Sequence, residues 1–177
     1  MTFSTERIFL APTFTQSIQK DFGWNAAAIQ EFKQIVFEFI GNPEDCYEIG
    51  KNVGPGKGKY LWHAHMIPIN KDDELAKWNK DYQNYTRCTS DRYLFYAKNT
   101  PNLSILLIDH VIDPGGHEIW KPHRKKQLAS MEAVAEDFHF FKKIPTEWET
   151  YPRLPWQTKT PLLRGIFNWA FAQKNPV

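Results

Sequence analysis

The sequence predicts a small α+β fold, a curved antiparallel sheet packed against two main helices, with a proline- and tryptophan-rich extension after it. Three observations predict this. Aromatic and β-branched residues cluster at about 60–69, 92–97 and 103–112, the composition of half-buried strands. Two longer stretches, after Asn25 and after His123, space their apolar residues three and four apart, the period of a helix with one buried face. From Ile144 onward, Pro145, Pro152, Pro155 and Pro161 alternate with Trp148, Tyr151 and Trp156. Such a segment resists regular structure but can lay its aromatics along a surface.

The elements follow in chain order. Residues 6–10 read as a short strand stopped by Pro12. Asn25 is placed to cap a helix carrying Ile29, Phe32, Val36 and Phe39 on one face, and Gly41-Asn42-Pro43 ends it. Residues 51–59 hold Gly54, Pro55, Gly56 and Gly58 among Lys51, Lys57 and Lys59, and read as a flexible basic loop. The strand at 60–69 follows. The polar stretch 71–85 is a loop or a short helix with Trp78 and Tyr82 on one side. Asn99-Thr100-Pro101-Asn102 turns the next two strands into a hairpin. The second helix, about 123–141, aligns Leu128, Met131, Ala135 and Phe138. Thr160-Pro161 opens a short terminal helix with Leu163, Ile166, Phe167 and Ala170. The division is a domain at 1–143 and an extension at 144–177 packed on or beside it.

A chain of 177 residues with 42% hydrophobic content suffices for one core. The net charge is only +2, so affinity for nucleic acid would have to come from local clustering. Cys46 and Cys88 lack the C-x-x-C spacing of a redox or metal motif and are expected to be free thiols in a reducing cytoplasm. No apolar run approaches the roughly 18 to 20 residues that span a bilayer, so no membrane partner is expected.

The polar groups suited to acid–base chemistry stand at the ends of the three central strands. His63 and His65, two apart, project from one face of a strand. Arg87, Ser90 and Asp91 precede Tyr93-Leu94-Phe95-Tyr96; an arginine offers a planar fork of donors matched to phosphate oxygens, unless it merely pairs with Asp91. Tyr96 is either a phosphate-bonding or stacking phenol or a core residue. His117 follows Asp113-Pro114-Gly115-Gly116, and a histidine carried on a turn can exchange a proton near neutral pH. His110 continues the face of Leu106 and Ile108 and reads as structural. Lys121, Arg124, Lys125 and Lys126, with Lys57 and Lys59 before the first central strand, would contact a phosphate backbone if folding brings both runs to one face.

Taken in order, these pieces resemble the YafO-type toxins of bacterial type II toxin–antitoxin systems, in the wider RelE/ParE group. The matching residues are the I-G-K-N turn at 49–52, His63-Ala-His65, R-x-T-S-D-x-x-L-x-Y from Arg87 to Tyr96, I-L-L-I at 105–108 with P-x-x-H from Pro114 to His117, and M-x-x-x-A-E-x-F from Met131 to Phe138. The chain departs from the pattern at Asp113, where a lysine is usual, at the added Cys88, and in the tail from Ile144. The resemblance implies a RelE-like fold and cleavage of messenger RNA on the translating ribosome, with a cognate antitoxin protein as partner.

Cleavage of RNA without metal or other cofactor needs a base for the 2′-hydroxyl, a donor for the phosphorane and an acid for the 5′-oxygen. The candidate set is His63, His65, Arg87, Asp91, Tyr96 and His117. Two further readings stay open: a ParE-like toxin or binding module that acts by association alone, and a metal enzyme built on His63, His65 and His117.

Overall fold

The computed structural model describes residues 5–57, 59–69, 71–101, 103–111 and 116–145. The extension beyond Pro145, including its expected terminal helix, and Asp113 lie outside the described residues. Five strands form one sheet: β1 (Ile8–Leu10), β2 (Ile49–Val53), β3 (Leu61–Met66), β4 (Tyr93–Asn99) and β5 (Ser104–Val111), in the order β1-β5-β4-β3-β2. Neighbours run antiparallel except β1, which lies parallel to β5. The α-helices among the described residues are α1 (Pro12–Phe22), α2 (Ala26–Gly41), α3 (Asp72–Gln83) and α4 (Lys125–Phe141). The α+β fold read from the sequence is the fold observed.

Two elements go beyond the expectation. Pro12 does end β1, but it does so as a first-turn residue of α1, where its missing N–H costs nothing and its φ is already helical. Phe14 and Ile18, four apart, bury against the sheet, and Gly23 closes the helix at φ 61°, its N–H donating to the Gln19 carbonyl at 3.0 Å. Part of the expected basic loop is strand β2, which pairs with β3 and so extends the sheet by one edge. The alternation was hidden by Gly50, a residue that strands disfavour. Here a glycine is required, since a Cβ would stand 2.5 Å from the Cys88 carbonyl oxygen and 2.7 Å from the Trp78 indole.

The remaining elements follow local rules. Asn25 caps α2 by accepting from the Ala28 N–H at 3.0 Å, and Phe32, Ile35, Val36 and Phe39 are buried beneath it. The polar stretch 71–85 is helix α3, with Asp72, Asp73 and Glu74 in the first turn facing the positive end of the helix dipole. Trp78 anchors it, fully buried, its indole N–H donating to the Tyr47 carbonyl at 3.0 Å.

Because side chains alternate along a strand, the sheet has two distinct faces. Leu94, Tyr96, Ile105 and Leu107 face α1 and α2 with Phe14, Phe32, Val36 and Phe39. Phe95, Ala97, Leu106 and Ile108 face α4 with Met131, Ala135 and Phe138. Among the described residues no helix is long and apolar enough to cross a membrane. Cys46 and Cys88 are both buried and are not joined in a disulfide.

Candidate functional site

Helix α4 lies mainly over β4 and β5 and reaches β3 only lightly, so one end of its face of the sheet stays open. Register decides what stands there. His63 pairs across with Phe95 and His65 with Tyr93, which puts both imidazoles and the Tyr93 ring on the α4 face. The ring centroids lie 6.1 Å apart for His63 and His65, 5.1 Å for His63 and Tyr93, and 4.7 Å for His65 and Tyr93. The two histidines therefore share a face as their spacing predicts, and they share it with an aromatic floor.

The segment between Arg87 and Arg92 is stitched to the edge of this group. The Lys51 N–H donates to the Cys88 carbonyl at 2.8 Å, and the Ser90 hydroxyl donates to the Met66 carbonyl at 2.6 Å. His65 Nδ1 lies 3.0 Å from the Ser90 N–H and 2.7 Å from the Ser90 carbonyl. Unprotonated, that nitrogen accepts from the amide; protonated, it donates to the carbonyl. Either way the backbone holds the ring.

Asp91 comes next, and it is paired with His117. The carboxylate Oδ1 meets His117 Nδ1 and also accepts from the His117 backbone N–H at 2.7 Å. The Gly116 N–H donates to the Asp91 carbonyl at 3.0 Å, and a Cβ on Gly116 would fall 2.2 Å from that oxygen. Gly116 thus supplies a close approach of two backbones. His117 sits over Tyr93 with centroids 5.6 Å apart, and 69% of its side chain is open to solvent. With Nδ1 on the carboxylate, Nε2 is the nitrogen left for other chemistry.

Burial acts on both sheet histidines. Burial, then the charges of His65 and Lys51, push the His63 imidazole down to about 4. Burial is also the main reason His65 is lowered, with Lys51 and His117 acting the same way and the Ser90 backbone and Asp91 opposing. Burial and Asp91 push the Tyr93 phenol up to about 12. His63, His65 and Tyr93 are thus neutral at pH 7.

Lys51 is a member that sequence reasoning placed in a loop. Val53 pairs with His63 and Asn52 with Ala64, the register shifts between Ile49 and Asn52, and the Lys51 charge acts on both rings. Arg87 is exposed beside it. Both line a groove of about 370 Å³ with Glu44, Asn52, Tyr82 and Tyr85. Among the described residues Arg87 makes no hydrogen bond or ion pair, so the alternative of a pair with Asp91 gives way to the pairing of Asp91 with His117.

Two expectations need correction. Tyr96 is on the opposite face, 1% exposed among the residues packed under α1 and α2, its hydroxyl donating to Asn52 Oδ1 at 2.7 Å. Burial raises its phenol pKa far above the ordinary value. It is a core tyrosine, because one step along β4 separates it from the face of Tyr93 and Phe95. Arg124 is 7% exposed, so it is not a surface contact for phosphate. Of the other cations, Lys57, Lys125 and Lys126 are exposed, Lys121 pairs with Glu118, and Lys59 pairs with Glu132 of α4 at 2.6 Å. That last pair brings the loop before β3 alongside α4. His110 is buried and accepts from Arg92 Nε at 2.8 Å, a structural role as its position implied.

Among the described residues no group of three or more His, Cys, Asp or Glu side chains is arranged to hold a metal ion. Lys51, Tyr93 and Trp120, whose indole lies 5.4 Å from the His63 ring, are not in the candidate set that the sequence suggests. Alternation along 61–66 and 93–97 could have flagged Tyr93; nothing local marks the other two. No curated protein and no solved structure matches the chain. The family model described as toxin YafO, type II toxin–antitoxin system, matches residues 24–140, a span that runs from the start of α2 almost to the end of α4 and contains every candidate site residue. The chain belongs to the YafO toxin family of type II toxin–antitoxin systems, which gives it a cognate antitoxin as partner.

Proposed function

We propose that this toxin is an endoribonuclease that cleaves messenger RNA on the translating ribosome, by acid–base catalysis from its own side chains. The observation that carries the reading is the Asp91–His117 pair beside the neutral imidazoles of His63 and His65, with the Lys51 charge acting on both of those rings. Asp91 holds His117 in the tautomer that leaves Nε2 unprotonated, the state that removes the proton from a ribose 2′-hydroxyl. The resulting oxygen attacks the adjacent phosphorus, and Arg87 and the Lys51 ammonium stabilise the charge of the phosphorane. The 2′-oxygen–phosphorus bond forms, the phosphorus–5′-oxygen bond breaks, and Lys51 supplies the proton to the leaving oxygen. His63, kept neutral, orients a phosphate oxygen through N–H donation without adding charge, and His65, 7% exposed and held by the Ser90 backbone, packs beside it as a positioning residue.

Lys57, Lys125 and Lys126 are exposed cations that suit a phosphate backbone. Residues 1–143 are proposed as the toxin domain, with 144–177 an added segment packed on or beside it. The test is induced expression with mapping of cut sites in cellular RNA, wild type beside Arg87→Ala and His117→Ala. A general acid–base group contributes about 10²- to 10⁴-fold in rate, so His117→Ala should lose nearly all cuts while keeping its circular dichroism spectrum. Arrested translation with intact messages in the wild type would replace cleavage by inhibition through binding alone.

A further inference from the structure

His117 and Trp120 are the first and last residues of a short 3₁₀ helix, His117–Trp120. Such a helix has about three residues per turn, so residues i and i+3 eclipse, and at about 2.0 Å per residue they lie about 6 Å apart along the axis. The imidazole and the indole are that pair. Both are anchored on the same aromatic floor, His117 over Tyr93 at 5.6 Å and Trp120 over His63 at 5.4 Å. Trp120 meets its supports at steep angles, 58° to His63 and 64° to Phe95. No described ring stacks parallel on it, and 47% of the residue is exposed.

A large flat apolar ring left in water, held by its edges, one helical turn from the proposed base, is a surface with a shape to match. Proteins that grip single-stranded nucleic acid stack unpaired bases on such rings and follow the backbone with cations. Lys125 and Lys126, exposed at the start of α4, stand just past it.

We propose that Trp120 is a stacking platform for one unpaired nucleobase next to the scissile phosphodiester, so that the substrate is single-stranded RNA with that base turned out of its stack. This rests on the endoribonuclease reading above. Trp120 is a positioning residue: it seats the nucleotide so that the 2′-hydroxyl reaches His117 Nε2.

The experiment measures binding of a fluorescently labelled single-stranded oligoribonucleotide, free and as the message of a purified ribosome complex, together with its cleavage. Wild type, Trp120→Ala, Trp120→Phe and His117→Ala are compared, each on the normal strand and on strands carrying one abasic nucleotide near the cut. Trp120→Ala should weaken binding by about 5- to 150-fold, the range of one lost base–aromatic stack, and Trp120→Phe should recover most of it. An abasic nucleotide at one position should weaken the wild type as much, and there the Trp120→Ala variant should lose nothing more. A merely structural role would give losses that multiply. Equal binding by wild type and Trp120→Ala, multiplying losses, or no wild-type binding in either form would overturn the platform. Base-dependent binding through Trp120 without any cleavage by the wild type would keep the platform and overturn the nuclease reading; cleavage indifferent to Trp120 would do the reverse.

Discussion

The two faces of the sheet draw on the same strands and end in opposite states. Toward α1 and α2, Leu94 and Tyr96 are sealed under two helices, and the one phenol among them is spoken for by Asn52. Toward α4, Phe95 and Ala97 are equally dry, but the row continues into His63, His65 and His117, where the helix no longer covers β3. Tyr93 and Tyr96 make the contrast sharpest: both are nearly inaccessible, both have raised phenol pKa values, and only Tyr93 touches the histidines. Coverage by a helix, more than residue type, separates core from candidate site.

The severest way to break this distinction is at the pair on the open face. Asp91→Asn keeps the shape but leaves His117 free to take the other tautomer, and RNA cleavage should fall by about 10²- to 10⁴-fold with little change in urea midpoint. Unchanged cleavage would remove the carboxylate from the mechanism. Gly116→Ala comes next. The added methyl overlaps the Asp91 carbonyl, so the turn must move; overpacking of this kind costs about 1 to 3 kcal/mol, read from chemical denaturation, and cleavage should drop with it.

Acid should probe the open face through stability. The His63 value of about 4 in the folded protein lies below the ordinary 6.5, so the unfolded chain takes up the proton first. The stabilisation is complete above about pH 6.5 and is lost as pH falls through 4, with His65 acting in the same direction. The slope is at most about 1.4 kcal/mol per pH unit for one proton, and less for a partly exposed ring. Urea midpoints recorded from pH 7 to 4 should flatten in His63→Phe; an identical slope would show that the ring is not shielded from solvent. The smallest effect is expected on the sealed face. Tyr96→Phe removes the hydrogen bond to Asn52, worth roughly 0.5 to 1.5 kcal/mol, and should leave RNA cleavage at the wild-type level. A large loss of cleavage in that variant would show that the two faces communicate.

Much of the frame was legible along the chain. Asn25 and the apolar spacing of 29–39 specify α2, the Asn99–Asn102 turn specifies the β4–β5 hairpin, and the period of 128–138 specifies α4. The alternation of 61–66 places His63 and His65 together. Helix α1 is not legible in the sequence because Pro12 both ends a strand and begins a helix, and β2 is not because Gly50 and the neighbouring lysines resemble a loop. Among site residues, His117 and Asp91 were recognised one by one, but their pairing depends on the turn at Gly116 closing onto a segment 26 positions earlier in sequence.

Local propensity and periodicity act over a few residues, so the chain alone specified which segments would be helix or strand and which side chains would share a face. Register, the reach of α4 over the sheet and the burial that neutralises His63 arise between segments distant in sequence. Those long-range contacts chose Tyr93 over Tyr96, brought Lys51 to the histidines, and buried Arg124 while leaving Arg87 in solvent.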